Sequence, residues 1–252
     1  MQNTLSLLSG DGRPAALCPH TFPQNLKLLV LGPHPDDFDA IGVTLRCLAD
    51  NGNPIAVGVV RTGSGVLDTY APDLTWAKKA DIRECEQRSS LRFFGLPDAE
   101  VTFFSLDNDS DEGQLCESAA NLAVLTAFIT EKSPDILFIP HGNDTNSAHR
   151  ALCAMSRKIV RNMVRTPALF LIRDPKTVAM RTDLYLPFDE ERAAWKARLL
   201  LFHDTQHQRN LTTRGHGFDD RILEGNRRIA RELSLAAPYA EAFEVETVAT
   251  KK

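Results

Sequence analysis

The feature that most constrains this chain is the alternation of short apolar runs with segments of helical period. Residues 26–31 (LKLLVL) are nearly all apolar and stop at Gly32-Pro33; 55–60, 135–139 and 168–172 are similar. Runs this short suit strands buried on both faces. Between them, 38–50 places Ile41, Leu45 and Leu48 at helical spacing before Asn51-Gly52. Residues 76–94, 115–130 and 147–164 also read as helices, and 101–104 as a further strand. Strand and helix in alternation predict an α/β, Rossmann-like, doubly wound and mostly parallel sheet with helices on both faces. Beyond Pro167 the pattern predicts strands at 181–186 and 242–248, one helix over 190–208 and another over 219–234.

Composition narrows the function classes. A net charge of −4 provides no basic field for a nucleic acid backbone, and the overall balance supports neither an acidic substrate nor a membrane role. Five widely spaced cysteines, with no CxxC pair, argue against a disulfide framework and against a thiolate metal site. The first twenty residues lack the basic and apolar regions of a secretory signal. Apolar stretches fall far short of the ~20 residues that span a bilayer. These features lead us to expect a cytoplasmic protein with an arm over 1–24 and one domain over 25–252.

Two polar clusters follow strand candidates. The first strand runs into Gly32-Pro33-His34-Pro35-Asp36-Asp37, and 135–139 leads through Pro140 to the segment His141 to His149, HGNDTNSAH. In an open α/β sheet, ligands bind beyond the C-terminal strand ends, so both clusters should reach one edge. Two imidazoles and one carboxylate with an open position are what a catalytic zinc requires, and a spare carboxylate can serve as base. Each cluster also has a structural use: Asp36, Asp37, Asn146 or Ser147 could cap a helix N-terminus.

The chain resembles the LmbE-like (PIG-L) family of zinc-dependent N-deacetylases. LLVLGPHPDDFD is similar to its first metal motif, and SPDILFIPHGNDTNSAHR to the second. IREC, with Glu86, is similar to its R-x-x-E helix, WKARLLLFHDTQ to a later helix and PYAEAFEV to its closing segment. The resemblance spans about 26 to 245. It implies one Zn²⁺, or another divalent ion, on His34, Asp37 and His149, with Asp36 as general base for the attacking water. It implies substrate contacts from Arg83 and His203, with His141 a substitute acid at the pocket. Arg83 could instead form a surface ion pair with Glu86, and His203 could be a packing histidine. His207 and His216 read as solvent-facing, and Tyr239 and Glu241 as holding the last strand. The implied substrate is a small molecule, an N-acyl amino sugar or glycoconjugate, and nothing in the sequence excludes a homo-oligomer.

The second motif departs from the family's His-Pro-Asp-His: here it reads Asn146-Ser147-Ala148-His149. The missing His supplies acid or oxyanion chemistry, and the missing Asp orients it. Asn146 can still donate an amide N–H to an oxyanion, but Asp36 must then both take and return the proton. An alternative is a metal-binding or scaffold homologue that has lost turnover. A nucleotide-binding Rossmann protein is disfavoured because GPHPDD lacks the glycine pattern and puts acids where a pyrophosphate would lie. Loops at 62–75 and 105–114, with Thr62, Ser64, Asp68, Tyr70, Asp107 and Asp109, are expected to shape the pocket.

Overall fold

The structure is a computed structural model that describes residues 14–18, 21–63, 65–104, 106 and 115–247. Strands are β1 (Ala15–Ala16), β2 (Leu28–Gly32), β3 (Ile55–Val59), β4 (Val101–Phe103), β5 (Ile136–Pro140), β6 (Ala168–Ile172), β7 (Leu184–Phe188) and β8 (Tyr239–Glu246). Helices are α1 (Gly42–Asp50), α2 (Trp76–Phe94), α3 (Ala119–Lys132), α4 (Ser147–Val160), α5 (Glu190–Leu200), α6 (Asp204–Arg214) and α7 (Phe218–Glu232). The strands form one sheet in the order β1-β7-β8-β6-β5-β2-β3-β4. Only β8 runs antiparallel to its neighbours β6 and β7.

The apolar runs form strands because both faces of each strand are buried. Leu28 and Val30 pack into one core layer, and Leu29 and Leu31 into the other. β5 and β6 divide in the same way. Side chains alternate across a strand, so a continuous apolar run feeds two layers at once. Helices α1, α2, α5 and α7 contribute to the first layer, and α3 and α4 to the second. No helix among the described residues is long and apolar enough to cross a membrane.

Several expected elements shift. The 38–50 segment splits into a 3-10 turn at Asp39–Ile41 followed by α1, because polar contacts hold its first residues in the loop. The 115–130 helix begins only at Ala119, where Ser118 accepts the Asn121 N–H. The strand expected at 181–186 lies at Leu184–Phe188. The last strand runs Tyr239–Glu246, and Val248 lies outside the described residues. The arm is tied to the sheet through β1, which pairs with β7.

The helix expected over 190–208 is two helices, α5 and α6, broken at His203. No glycine or proline marks the break. Glu86, from distant α2, causes it: its two carboxylate oxygens accept the Thr205 N–H and hydroxyl at 2.7 Å each. A carboxylate on the first N–H groups caps and favours a new helix start.

Strand β8 is locked from inside. Glu241 accepts the Val43 and Thr44 N–H groups at the start of α1 and the Lys196 ammonium at 2.6 Å. Lys196 also donates to Ala40 O and Asn226 Oδ1 and is fully buried. Burial pushes its ammonium below the usual lysine value, against the pull of Glu241. Breaking a buried pair by removing one partner leaves the other uncompensated. Lys196→Ala is therefore expected to cost about 3–5 kcal/mol in urea unfolding; a loss below about 1 kcal/mol would show that the pair does not hold α1, α5 and β8 together.

Candidate metal centre

The chain leaves β2 toward β3 and β4 on one side, then crosses to β5 and β6 on the other. Strand order therefore reverses between β2 and β5, which are direct neighbours. A crevice opens at such a reversal, beyond the C-terminal ends of the two strands. The 33–37 loop leaves β2 there, and the 141–146 loop leaves β5.

Gly32 lets the first loop fold back on itself. A Cβ there would lie 2.9 Å from Asp37 Cβ. Asp37 Oδ2 accepts the His34 N–H at 2.7 Å, closing a tight turn. Asp36 sits inside that turn at φ 118°, a left-handed conformation costly for a residue with a Cβ. Its surroundings hold it there. Its N–H donates to Gln87 Oε1 at 3.0 Å, and its carboxylate lies 3.0 Å from the Arg83 guanidinium.

Ligand atoms of His34, Asp37 and His149 lie within 4.8 Å of one another. Asp37 bridges the two imidazoles, 3.4 Å from His34 Nδ1 and 3.4 Å from His149 Nε2. His149 Nδ1 lies 3.1 Å from Asp144 Oδ2, while its buried Nε2 makes no hydrogen bond. An orphaned buried nitrogen is costly. Here it points toward another imidazole and a carboxylate, the donor set that suits a divalent ion with borderline softness. The residues therefore fit zinc.

Electrostatics agree with that fit. Burial pushes the His34 imidazole below its usual value, leaving it neutral as a metal ligand must be. Burial also opposes charge on His149, but Asp37 and Asp144 outweigh it and raise this imidazole to about 9. Burial would raise Asp37, yet His149 and His34 hold it well below the usual carboxylate range. A proton and a metal ion would therefore compete for His149.

Asp36, Arg83 and Asn146 join His34 in lining a cleft of about 600 Å³. Asn146 is the N-cap of α4: its Oδ1 accepts the Ala148 N–H at 2.9 Å. With the oxygen so fixed, the amide N–H₂ is the end left for a ligand. Arg83 pairs with Glu86 inside the fold rather than on the helix surface. It is buried, donates to Pro35 O and Asp36, and lies 4.0 Å from Glu86.

His203 does not line the cleft. It is buried beneath the loop with Nε2 2.6 Å from Asp39, which also accepts from Gln87 and Ser90. His141 is also absent from the lining: its Nδ1 accepts the Asn143 N–H, and its Nε2 faces Glu244 at 3.5 Å. His207 is not simply solvent-facing, since its Nδ1 meets Asp219 at 3.1 Å. Among the described residues of the 62–75 loop, only Gly65 lines the cleft. Asp68 pairs with Lys79, and Tyr70 donates to Asp204. Ser64, Asp107 and Asp109 lie outside the described residues.

Sequence reasoning gave no role to Asp144, although it stands five residues before His149 in the same polar cluster. A carboxylate on the far nitrogen of a ligating histidine fixes its tautomer and orientation. The Asp144 backbone also bridges to Thr177 across the cleft, drawing the loop after β6 to the site.

A family model described as PIG-L: GlcNAc-PI de-N-acetylase matches residues 29–160. Among solved structures, N,N'-diacetylchitobiose deacetylase from Pyrococcus horikoshii is 17% identical, covers 97% of this chain and 91% of its own, and superposes with a TM-score of 0.75. The zinc-inhibited form of teicoplanin deacetylase Orf2 is also 17% identical, covering 87% and 98% with a TM-score of 0.65. GalB, the 4-carboxy-2-hydroxymuconate hydratase from Pseudomonas putida KT2440, is 16% identical, covering 90% and 98% with a TM-score of 0.64. No curated protein sequence matches the chain.

Metal must displace the His149 proton, so affinity should climb with pH while that imidazole stays protonated. Competition with a chromophoric chelator is expected to show about tenfold tighter zinc binding per pH unit between about 6 and 8. A flat profile would mean that His149 carries no proton in the metal-free protein.

Proposed function

The chain belongs to the PIG-L GlcNAc-PI de-N-acetylase family, and from that premise we propose that it is a zinc-dependent amidohydrolase removing an N-acyl group from an amino-sugar-like small molecule. The observation that carries this reading is the convergence of His34, Asp37 and His149 within 4.8 Å of one another, with His34 opening onto a cleft that a spare carboxylate, Asp36, also lines.

A divalent ion held by the three ligands would supply a Lewis acid for the acyl carbonyl and lower the pKa of water. The chain's own residues do the rest. Asp36 takes the proton of the attacking water. Arg83 and Gln87 fix that carboxylate in its strained position, so little reorganisation is needed at the moment of reaction. Asn146 donates its amide N–H to the developing oxyanion. As the carbon–nitrogen bond breaks, Asp36 returns the proton to the departing amine. Among the described residues, Asn146 offers no titratable proton where the family carries a His, which is why Asp36 serves twice.

The same departure supports a second reading, a metal-binding homologue without turnover. Metal content by mass spectrometry and a panel of N-acetyl sugars, amino acids and peptides separate the two. About one zinc per chain, lost in His34→Ala or His149→Ala, with hydrolysis of a sugar amide supports the enzyme. Zinc without turnover of any amide supports the second reading.

Asp36→Asn should keep its zinc and lose about 10³-fold in kcat; a wild-type rate overturns the base assignment. Asn146→Asp keeps the helix cap but removes the amide donor. Its kcat should fall about 10²–10³-fold. An unchanged kcat would remove Asn146 from the oxyanion role.

A further inference from the structure

The cleft has a charge that the whole chain does not. Among the described residues, six that line it are cationic (Arg61, Arg83, Lys176, Arg209, Arg214 and Arg221), and Asp36 is the one carboxylate. Two of these cations are engaged at the site, Arg83 with Asp36 and Arg61 over the Trp76 ring at 5.3 Å. Lys176 forms a long ion pair with Asp174 at 3.8 Å. Among the described residues, Arg209, Arg214 and Arg221 make no ion pair with a carboxylate. Burial, and then neighbouring cations with Arg214 among them, push the Arg209 and Arg221 guanidinium groups below their usual values. Asp36 and Asp174 offset this only in part, so these guanidinium groups stand in mutual repulsion without a directly paired carboxylate among the described residues.

The wall that carries them is built for a polar ligand. Gln206, Arg209, Asn210 and Thr213 of α6 line the cleft. Their i, i+3, i+4, i+7 spacing puts them on one helix face, where a helix packed on a core shows apolar residues. Asn210 is buried, and its Oδ1 accepts no hydrogen bond. That orphaned acceptor suits a ligand hydroxyl. Arg209, Arg214, Arg221 and Lys176 also lie beyond residue 160, outside the segment that matches the family model. The reaction centre belongs to the shared part of the chain, and the cationic wall to the remainder.

We propose that the substrate carries an oxyanion, a phosphate or a carboxylate, on the portion away from the scissile amide, and that Arg209, Arg214 and Arg221 hold it. This rests on the deacetylase reading for the amide, but not for the anion. Guanidinium forks match both oxyanions in bidentate geometry. The proposal narrows the substrate class from N-acyl amino sugars in general to acidic ones.

The test is calorimetric binding to the zinc-loaded Asp36→Asn protein. The probes are N-acetylglucosamine, its 1-phosphate and 6-phosphate, and N-acetylmuramic acid. At least one anionic sugar is expected to bind tenfold or more tightly than the neutral sugar, and which one identifies the anion and its position. That preference should fall about tenfold in Arg209→Gln or Arg221→Gln, the scale of one charge-assisted hydrogen bond. It should also weaken with added salt, unlike binding of the neutral sugar. Equal affinities would overturn the proposal. So would a preference surviving the triple Arg209→Gln, Arg214→Gln, Arg221→Gln substitution, which would assign the anion to the metal. The readout is binding, so failed hydrolysis would count against the deacetylase reading alone. Hydrolysis of neutral sugars without anion preference would count against the arginine assignment alone.

Discussion

Reversal of strand order between β2 and β5 is the constraint on which the site depends. Right-handed crossovers send β3 and β4 to one side of β2, and β5 and β6 to the other. The loops leaving β2 and β5 are then pushed apart by no intervening strand, and their tips meet across the crevice. His34 and Asp37 come from one tip and His149 from α4, just past the other. Their sequence separation exceeds a hundred residues, but the sheet makes them neighbours.

Beneath the first tip, polar contacts hold the loop in a form it would not adopt alone. Asp36 at φ 118° is tied by Gln87 and Arg83, and Asp39 by Gln87, Ser90 and His203. Three partners on α2, Arg83, Gln87 and Ser90, meet this segment directly, and a fourth, Glu86, starts α6. One helix thereby sets both the Asp36 carboxylate and the start of α6. Strain at Asp36 is sustained because the surroundings over-determine its position.

Charge is distributed at two scales. The whole chain is acidic, with a net charge of −4, while the cleft is cationic. Net charge sums over all surfaces and speaks to solubility and nonspecific association. A ligand responds to the local field, which depends on which side chains converge. Arg209 and Arg221 come from α6 and α7, and Lys176 from the loop after β6, so no sequence window reveals their convergence.

The strand runs, the long α2 helix, the doubly wound sheet and the polar loops holding His34, Asp36, Asp37 and His149 were legible in the sequence. Burial on both faces demands unbroken apolar runs, and strand exits in an α/β sheet collect chemistry, so these are local patterns with global meaning. Other features were illegible for a shared reason. The break between α5 and α6 comes from a carboxylate on α2. The antiparallel entry of β8 between β6 and β7 comes from pairing across distant segments. His203 and His141 looked like pocket residues, but Asp39 and Glu244 claim them instead. Local periodicity and residue type therefore determined which segments are strands and helices and which loops carry the candidate ligands. Only the tertiary structure decided which partner each buried polar group meets, because hydrogen bonds and ion pairs depend on spatial distance rather than on sequence separation.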